Sequence, residues 1–399
     1  MTLKNVLLLL LLGLFATSAS FAVPDDNCPS IGAPAAEIPF TLIGDHIYAD
    51  ASVNGTGPYR FIVDTGGVDL IDSSLVKPLS LKITGTEAGH GTGPNAVESG
   101  KTTLARLTLG KITFTKQPFY TFDFGQLYAG GGVKMMGMVG APLLQQFVTC
   151  IDFKRNVIHL IEPGQLDVAR AGSSLAMSIN ESEIKVHGSF DGIPGIFQID
   201  TGSPTTLTLA APFVERHELL KRFPRQVKTS SGGVGGQTRE YTVRGKDLVL
   251  GGERIQHPIT ALAAASKGNL AKSDFSGIVG IGALKRYLVT LDFPGKRLFL
   301  KPYDPAPAGL DTYDRSGMRI EANPAGFRVV SVAQGTPAAE AGLRRGDVIV
   351  AVDHRSATSI ALPAMRDELK SRPAGSVIAL TVRARGRVRI VRLELRDLL

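Results

Sequence analysis

Two cysteines, seven histidines and a single long apolar run set narrow limits on what this 399-residue chain can do. The histidines are scattered, with no His-Glu-x-x-His and no paired-cysteine spacing, which excludes a zinc site written in the sequence. No Gly-x-Ser-x-Gly or Gly-Asp-Ser-Gly-Gly segment occurs, which excludes the nucleophile segment of a serine protease. Two glycine-rich stretches, Gly85 to Gly100 and Ser230 to Gly236, lack the Gly-Lys-Ser/Thr ending and the following helix of a phosphate loop. The apolar run, Val6 to Ala16, has 11 residues and falls short of the ~20 that a membrane-spanning helix needs.

That run instead reads as the centre of a signal peptide over residues 1–22, with Lys4 before it and Ser20-Phe21-Ala22 as a small-x-small cleavage site. The expectation is an exported protein, periplasmic or secreted, with no membrane span in the mature chain. No Leu-Ala-Gly-Cys-like box precedes Cys28, so lipidation is not indicated there. Removing 22 residues from 399 leaves a chain too long for one core and suited to two or three domains. In an oxidising compartment Cys28 and Cys150 can bridge. Equally, Cys150 can be a buried apolar filler, since Thr290 holds the matching position in the repeat described next.

The tripeptide Asp-Thr-Gly occurs twice, in Phe61-Ile62-Val63-Asp64-Thr65-Gly66-Gly67 and in Phe197-Gln198-Ile199-Asp200-Thr201-Gly202-Ser203. Each copy ends an apolar run, which reads as a buried strand delivering a carboxylate into a glycine turn. Downstream, Gly137-Met138-Val139-Gly140 aligns with Gly277-Ile278-Val279-Gly280, and Phe147 to Phe153 with Tyr287 to Phe293. A duplication of this length predicts two similar halves that bring two carboxylates together. Short alternating runs broken by Gly, Pro, Asn and Asp dominate residues 38–303, a mostly β signature with brief helices such as Ala211 to Arg222. Punctuated stretches at Ile161 to Ser174 and Lys301 to Gly309 separate the halves and end the second.

Beyond Gly309 the pattern changes. Thr336 is placed to cap a short helix with Pro337 at its first position and Gly342 at its end. Leu362 to Ser371 predicts a second helix, and Ser376 to Leu395 a strand pair turning at Arg385-Gly386. The net charge of +8 is uneven, since residues 310–399 carry 15 Lys/Arg against 10 Asp/Glu. Arg383, Arg385, Arg387 and Arg389 alternate as one face of a strand would, without interleaved aromatic residues; this reads as a charged sheet edge and not as a nucleic-acid surface.

Residues 38–303 resemble the two-lobed aspartic peptidases, both pepsin-like and the retropepsin-like domains of bacteria. The resemblance is carried by the two Asp-Thr-Gly copies and by Met138-Val139-Gly140 and Ile278-Val279-Gly280. Residues from about 313 to the C-terminus look like a PDZ domain, through the Pro337-Ala338 to Asp347-Val348-Ile349 run. The resemblance implies two duplicated β-barrel lobes at 38–163 and 176–303, followed by an α+β PDZ domain at 313–399. It further implies Asp64 and Asp200 as catalytic, supported by Thr65, Gly66, Gly67, Thr201, Gly202 and Ser203. Thr65 and Thr201 would hydrogen-bond across the lobes. Pepsin-like enzymes have Ser or Thr where this chain has Gly67, and a flap tyrosine that Gly85 to Gly100 lacks. His90, in that flap, reads as an exposed loop residue. Gly85 to Gly100 and Ser230 to Gly236 would be two flaps in the retropepsin manner. Ala325-Gly326-Phe327 would be the carboxylate-binding loop of the PDZ domain, taking a peptide C-terminus.

The chemistry implied needs no cofactor or metal. Two like charges 4 Å apart at an effective dielectric near 20 repel by about 4 kcal/mol, so such a pair holds one proton between its members. One carboxyl can then deprotonate a water while the other protonates the scissile carbonyl. The expectation is an exported aspartic endopeptidase, complete as a monomer and acting on an extended polypeptide. The alternative is a catalytically inactive peptide-binding scaffold with a protease-like core.

Overall fold

Alternating apolar and polar residues become strand almost throughout. The computed structural model describes residues 27–399, and these form a mostly β chain with several sheets. The signal peptide expected at residues 1–22 lies outside the described residues.

In the first lobe, Asn54 and Gly55 take positive φ values of 52° and 85° and turn the chain between strands His46–Val53 and Thr56–Asp64. Thr56–Asp64 then runs parallel to Gly137–Gly140, which pairs antiparallel with Leu70–Asp72, itself parallel to Ile112–Phe122. The second lobe repeats this path. Ile193–Ile199 is parallel to Gly277–Val279, that strand is antiparallel to Leu207–Leu209, and that in turn is parallel to Ile259–Ala263. In both halves the later strand crosses behind the loop that follows Asp-Thr-Gly. The crossing is tight enough to demand glycine: a Cβ at Gly140 would stand 2.4 Å from Val68 backbone, and one at Gly280 2.4 Å from the Ser203 carbonyl oxygen.

The lobes meet through an antiparallel pairing of Val148–Asp152 with Tyr287–Asp292, where Cys150 faces its own repeat counterpart Thr290. Equivalent positions facing each other place an approximate two-fold axis between them. One large apolar core runs through both lobes, with a smaller buried cluster in each. Cys28 and Cys150 form a disulfide with their Cα atoms 6.0 Å apart, which ties the N-terminal segment to this central strand. Of the two readings open for Cys150, the bridge is the one adopted.

The C-terminal domain has its own sheet, in the order Met318–Asn323, Gly326–Val332, Val348–Val352, Val377–Ala384, Arg387–Glu394, and its own core. The helix Leu362–Ser371 buries Leu362, Met365 and Leu369 against that core. Arg385 and Gly386, with φ of 49° and 77°, turn the final hairpin, and Arg387–Glu394 is the sheet edge. Two local expectations change. Thr336 precedes the short helix Pro337–Glu340, but its hydroxyl donates to Ala333 O at 2.6 Å and caps nothing. Ala211 to Arg222 splits into Ala211–Arg216 and Leu219–Arg222 because Glu218 is left-handed, with φ 50°.

The connection to this domain is anchored. Tyr303, at its start, donates to Asp152 Oδ1 at 3.0 Å and accepts the Phe153 amide at 2.9 Å. Further on, Arg286 pairs with Asp311. The domain packs on the first lobe so closely that a Cβ at Gly132 would meet Leu362 at 2.7 Å.

Candidate active site

The two parallel strand pairs end in loops that face each other. Thr65 and Thr201 are fully buried between the lobes, and each amide donates to the other's Oγ1 at 3.0 Å. Each hydroxyl passes its own proton on, Thr65 to Ile199 O at 3.2 Å and Thr201 to Val63 O at 2.8 Å. Four hydrogen bonds thus cross-link the loops, and both hydroxyls both donate and accept.

This lattice sets the distance between Asp64 and Asp200, whose carboxyls are in hydrogen-bonding contact. The Gly66 amide donates to Asp64 Oδ1 at 2.9 Å and the Gly202 amide to Asp200 Oδ1 at 2.7 Å. Each glycine also sits beneath the opposite carboxyl. A Cβ at Gly202 would stand 2.3 Å from Asp64 Oδ2, and one at Gly66 2.6 Å from Asp200 Cγ. Burial raises the Asp64 carboxyl above its ordinary range; burial, and then the Asp64 charge and hydrogen bond, raise Asp200 well above it. The pair therefore holds a proton to higher pH than two free carboxylates would.

Gly67 and Ser203 are less different than their side chains suggest. The Ser203 hydroxyl pairs with Thr205 Oγ1 at 3.0 Å, and its backbone N–H serves Asp200. The Gly67 backbone likewise serves Asp64. A Cβ at Gly67 would stand 2.9 Å from Met138 Sδ and 3.0 Å from Asp64 Oδ2.

The dyad opens into a cavity of about 1390 Å³. Its roof is two hairpins, Gly85–His90 with Ala96–Leu109 and Val227–Gly233 with Gly236–Arg244. Their tips are joined: Gly93 N donates to Val234 O at 2.9 Å, Asn95 N to Gly235 O at 3.0 Å and Thr238 Oγ1 to Thr92 O at 2.8 Å. His90 is exposed.

A different histidine reaches the site. His46 lines the cavity, with Nδ1 3.1 Å from Gly44 O and the ring against the Gly202 backbone. Burial lowers its pKa. The pairing of Tyr48 with Ile62, continued two residues outward, brings His46 level with Asp64. The other wall of the cavity belongs to the C-terminal domain, including Met318, Arg319, Glu321 and Arg366.

Ala325, Gly326 and Phe327 lie elsewhere. In the hairpin of Met318–Asn323 and Gly326–Val332, Ala325 lies in the turn and Gly326 and Phe327 open the second strand, and the Ala325 amide donates to Asn323 Oδ1 at 3.0 Å. Phe327 is paired on one side with Ala322 and on the other with Ile349, so its strand is interior and its backbone has no open edge for a peptide. The strand at the sheet edge is the neighbouring one, Met318–Asn323.

Residues 49–143 match the family model described as aspartyl protease, and residues 328–383 that described as PDZ domain. The chain therefore carries an aspartyl-protease domain and a PDZ domain. No curated protein matches it in sequence. Among solved structures it is similar to basic 7S globulin from soybean, at 13% identity over 66% of this chain and 94% of that one, with a TM-score of 0.40. It is also similar to a retropepsin-like aspartic protease from Rickettsia conorii, at 23% identity over 31% of this chain and 88% of that one, with a TM-score of 0.23. An aminopeptidase N family protein from Idiomarina loihiensis matches at 22% identity over 23% of this chain and 15% of that one, with a TM-score of 0.21.

Proposed function

We propose that the protein is an exported aspartic endopeptidase in which Asp64 and Asp200 share one proton and activate a water against a peptide bond. The observation that carries this reading is the reciprocal Thr65–Thr201 lattice, which holds two buried carboxyls in contact beneath a roofed cavity. One carboxylate takes a proton from the water as it attacks, and the protonated partner gives its proton to the carbonyl oxygen. The first carboxyl then passes its proton to the departing amine, while the second takes one back from a hydroxyl of the tetrahedral intermediate. This leaves the new carboxyl product and returns the dyad to its starting state. No covalent intermediate forms on the enzyme. Both halves of the site come from one chain, so a monomer suffices.

The substrate is an extended polypeptide, since ~7 residues in strand form span ~23 Å and fit a cleft rather than a closed pocket. The PDZ domain adds peptide binding beside the cleft. Export is supported by the N-terminal sequence pattern and by the Cys28–Cys150 disulfide, which suits an oxidising compartment. Peptide hydrolysis between pH 3 and 7 tests the reading, with Asp200→Asn and a statine-type inhibitor as controls. Hydrolysis that the substitution and the inhibitor both abolish supports it; an inactive wild type, or an equally active variant, removes it.

A further inference from the structure

The charged groups that the PDZ domain brings to the cavity are not equally satisfied. Glu321 takes Arg319 at 3.3 Å and Arg328 at 3.1 Å, and Arg319 also donates to Ser230 Oγ on the second flap at 3.2 Å. Asp314 accepts the Ser316 and Gly317 amides at 3.0 and 2.7 Å. Arg366 stands apart. Its Nη2 donates to Ile320 O at 2.7 Å, and among the described residues no carboxylate oxygen lies within 4 Å of it. Burial first, and then the like charge of Arg319, push it down to about 10. Glu321, Asp314 and Asp367 oppose this with their charges from beyond ion-pair distance, so the five donors of the planar guanidinium fork are met directly by one carbonyl alone.

Its position gives that unmet demand a meaning. Arg366 lines the same cavity as the dyad, and His46, whose ring meets the Gly202 backbone, feels its charge. Arg366 and His46 are thus close enough for charge to act between them across one wall of the cavity. Arg366's present acceptor, Ile320 O, belongs to the strand at the sheet edge, Met318–Asn323, beside the first-lobe helix Gly125–Gly131. A polypeptide pairing with that edge would compete for this carbonyl and turn the fork toward the ligand.

We propose that Arg366 is a carboxylate-binding subsite of the catalytic cleft, which takes an acidic side chain or the C-terminal carboxylate of the bound polypeptide. The inference rests on reading the cleft as a polypeptide site. The PDZ domain then supplies part of the substrate-binding wall with a side chain of its helix, and selects acidic chains.

Binding to the full chain carrying Asp200→Asn tests this without requiring turnover. The probes are fluorescein-labelled decapeptides with one apolar centre. One set has an amidated end and a glutamate stepped through the positions after the centre, a second has a free C-terminal carboxylate and no glutamate, and a third has neither. Anisotropy titrations should show the best carboxylate peptide binding about ten- to a hundredfold more tightly than the neutral one, the range of a charge-assisted hydrogen bond. Adding Arg366→Gln should remove that ratio, and Arg366→Lys should keep part of it, because the charge stays and the fork is lost. Preference in the first set alone assigns an acidic side chain, and in the second alone a chain end. Equal affinity for all three sets, no binding of any, or a ratio unchanged in both Arg366 variants overturns the proposal. Arg366→Lys covers the case in which Arg366→Gln fails to fold. Hydrolysis by the wild type in parallel separates this result from the protease reading: absent cleavage with an intact charge preference removes the reading and keeps the subsite.

Discussion

Thr65 and Thr201 are mutual partners: each buried amide is satisfied by the other's hydroxyl at 3.0 Å, so neither loop is complete without the opposite lobe. Thr201→Ala should leave the Thr65 amide and the Val63 carbonyl buried and unpaired, at a cost of about 2–4 kcal/mol in urea denaturation. Thr201→Ser, which keeps the hydroxyl, should recover most of it. Activity should fall in kcat more than in KM, because the dyad loses its spacing while the cleft stays.

Gly202 and Gly67 should differ in tolerance. A methyl at 202 would lie 2.3 Å from Asp64 Oδ2, while one at 67 meets the movable end of Met138 at 2.9 Å. Gly202→Ala should therefore abolish peptide hydrolysis. Gly67→Ala should destabilise by about 1–3 kcal/mol and keep measurable turnover. Equal activity of the two variants in a peptide assay would contradict the proposed crowding.

Asp69 predicts a pH dependence. Its buried carboxyl accepts the Gly140 amide at 2.7 Å, and burial raises it from 3.8 to about 7. The folded state thus binds a proton that the unfolded chain releases near pH 4. Its contribution to stability is present in full below that pH and is lost as pH rises to about 7, by at most ~4 kcal/mol. Asp69→Asn should flatten thermal stability over this window, and a curve parallel to wild type would exclude Asp69 as the source.

The Cys28–Cys150 bridge closes a separation of 122 residues. On chain-entropy grounds Cys28→Ser should lose about 2–5 kcal/mol, read from urea denaturation without reductant. The same loss should follow when the wild type is reduced.

The dyad was legible because each half announces it locally, with an apolar strand, Asp-Thr-Gly and a later Gly that must cross behind. His46 was not. Counting back from the Asn54-Gly55 turn pairs Asp64 with Asp45. A bulge between Ala51 and Val53 shifts the register by one and puts His46 there instead. The Ala325-Gly326-Phe327 reading failed because glycine before an apolar residue marks an amide-lined loop and a tight hairpin alike. Only the position of Gly326–Val332 inside its sheet tells them apart. Arg366 lies on a helix whose pattern fixed its buried face, but nothing local to it encodes which lobe the helix would meet.

The joined tips have a consequence for access. With Gly93 bonded to Val234 and Asn95 to Gly235, the passage over the carboxyls is bridged by backbone hydrogen bonds. A strand held between folded domains cannot be threaded through it endwise. Such a chain enters only when the hairpins part, whereas a loose chain end can slide in beneath them. Rupture of a few backbone hydrogen bonds, more than the chemistry beneath them, would then decide between internal loops and free ends as points of attack.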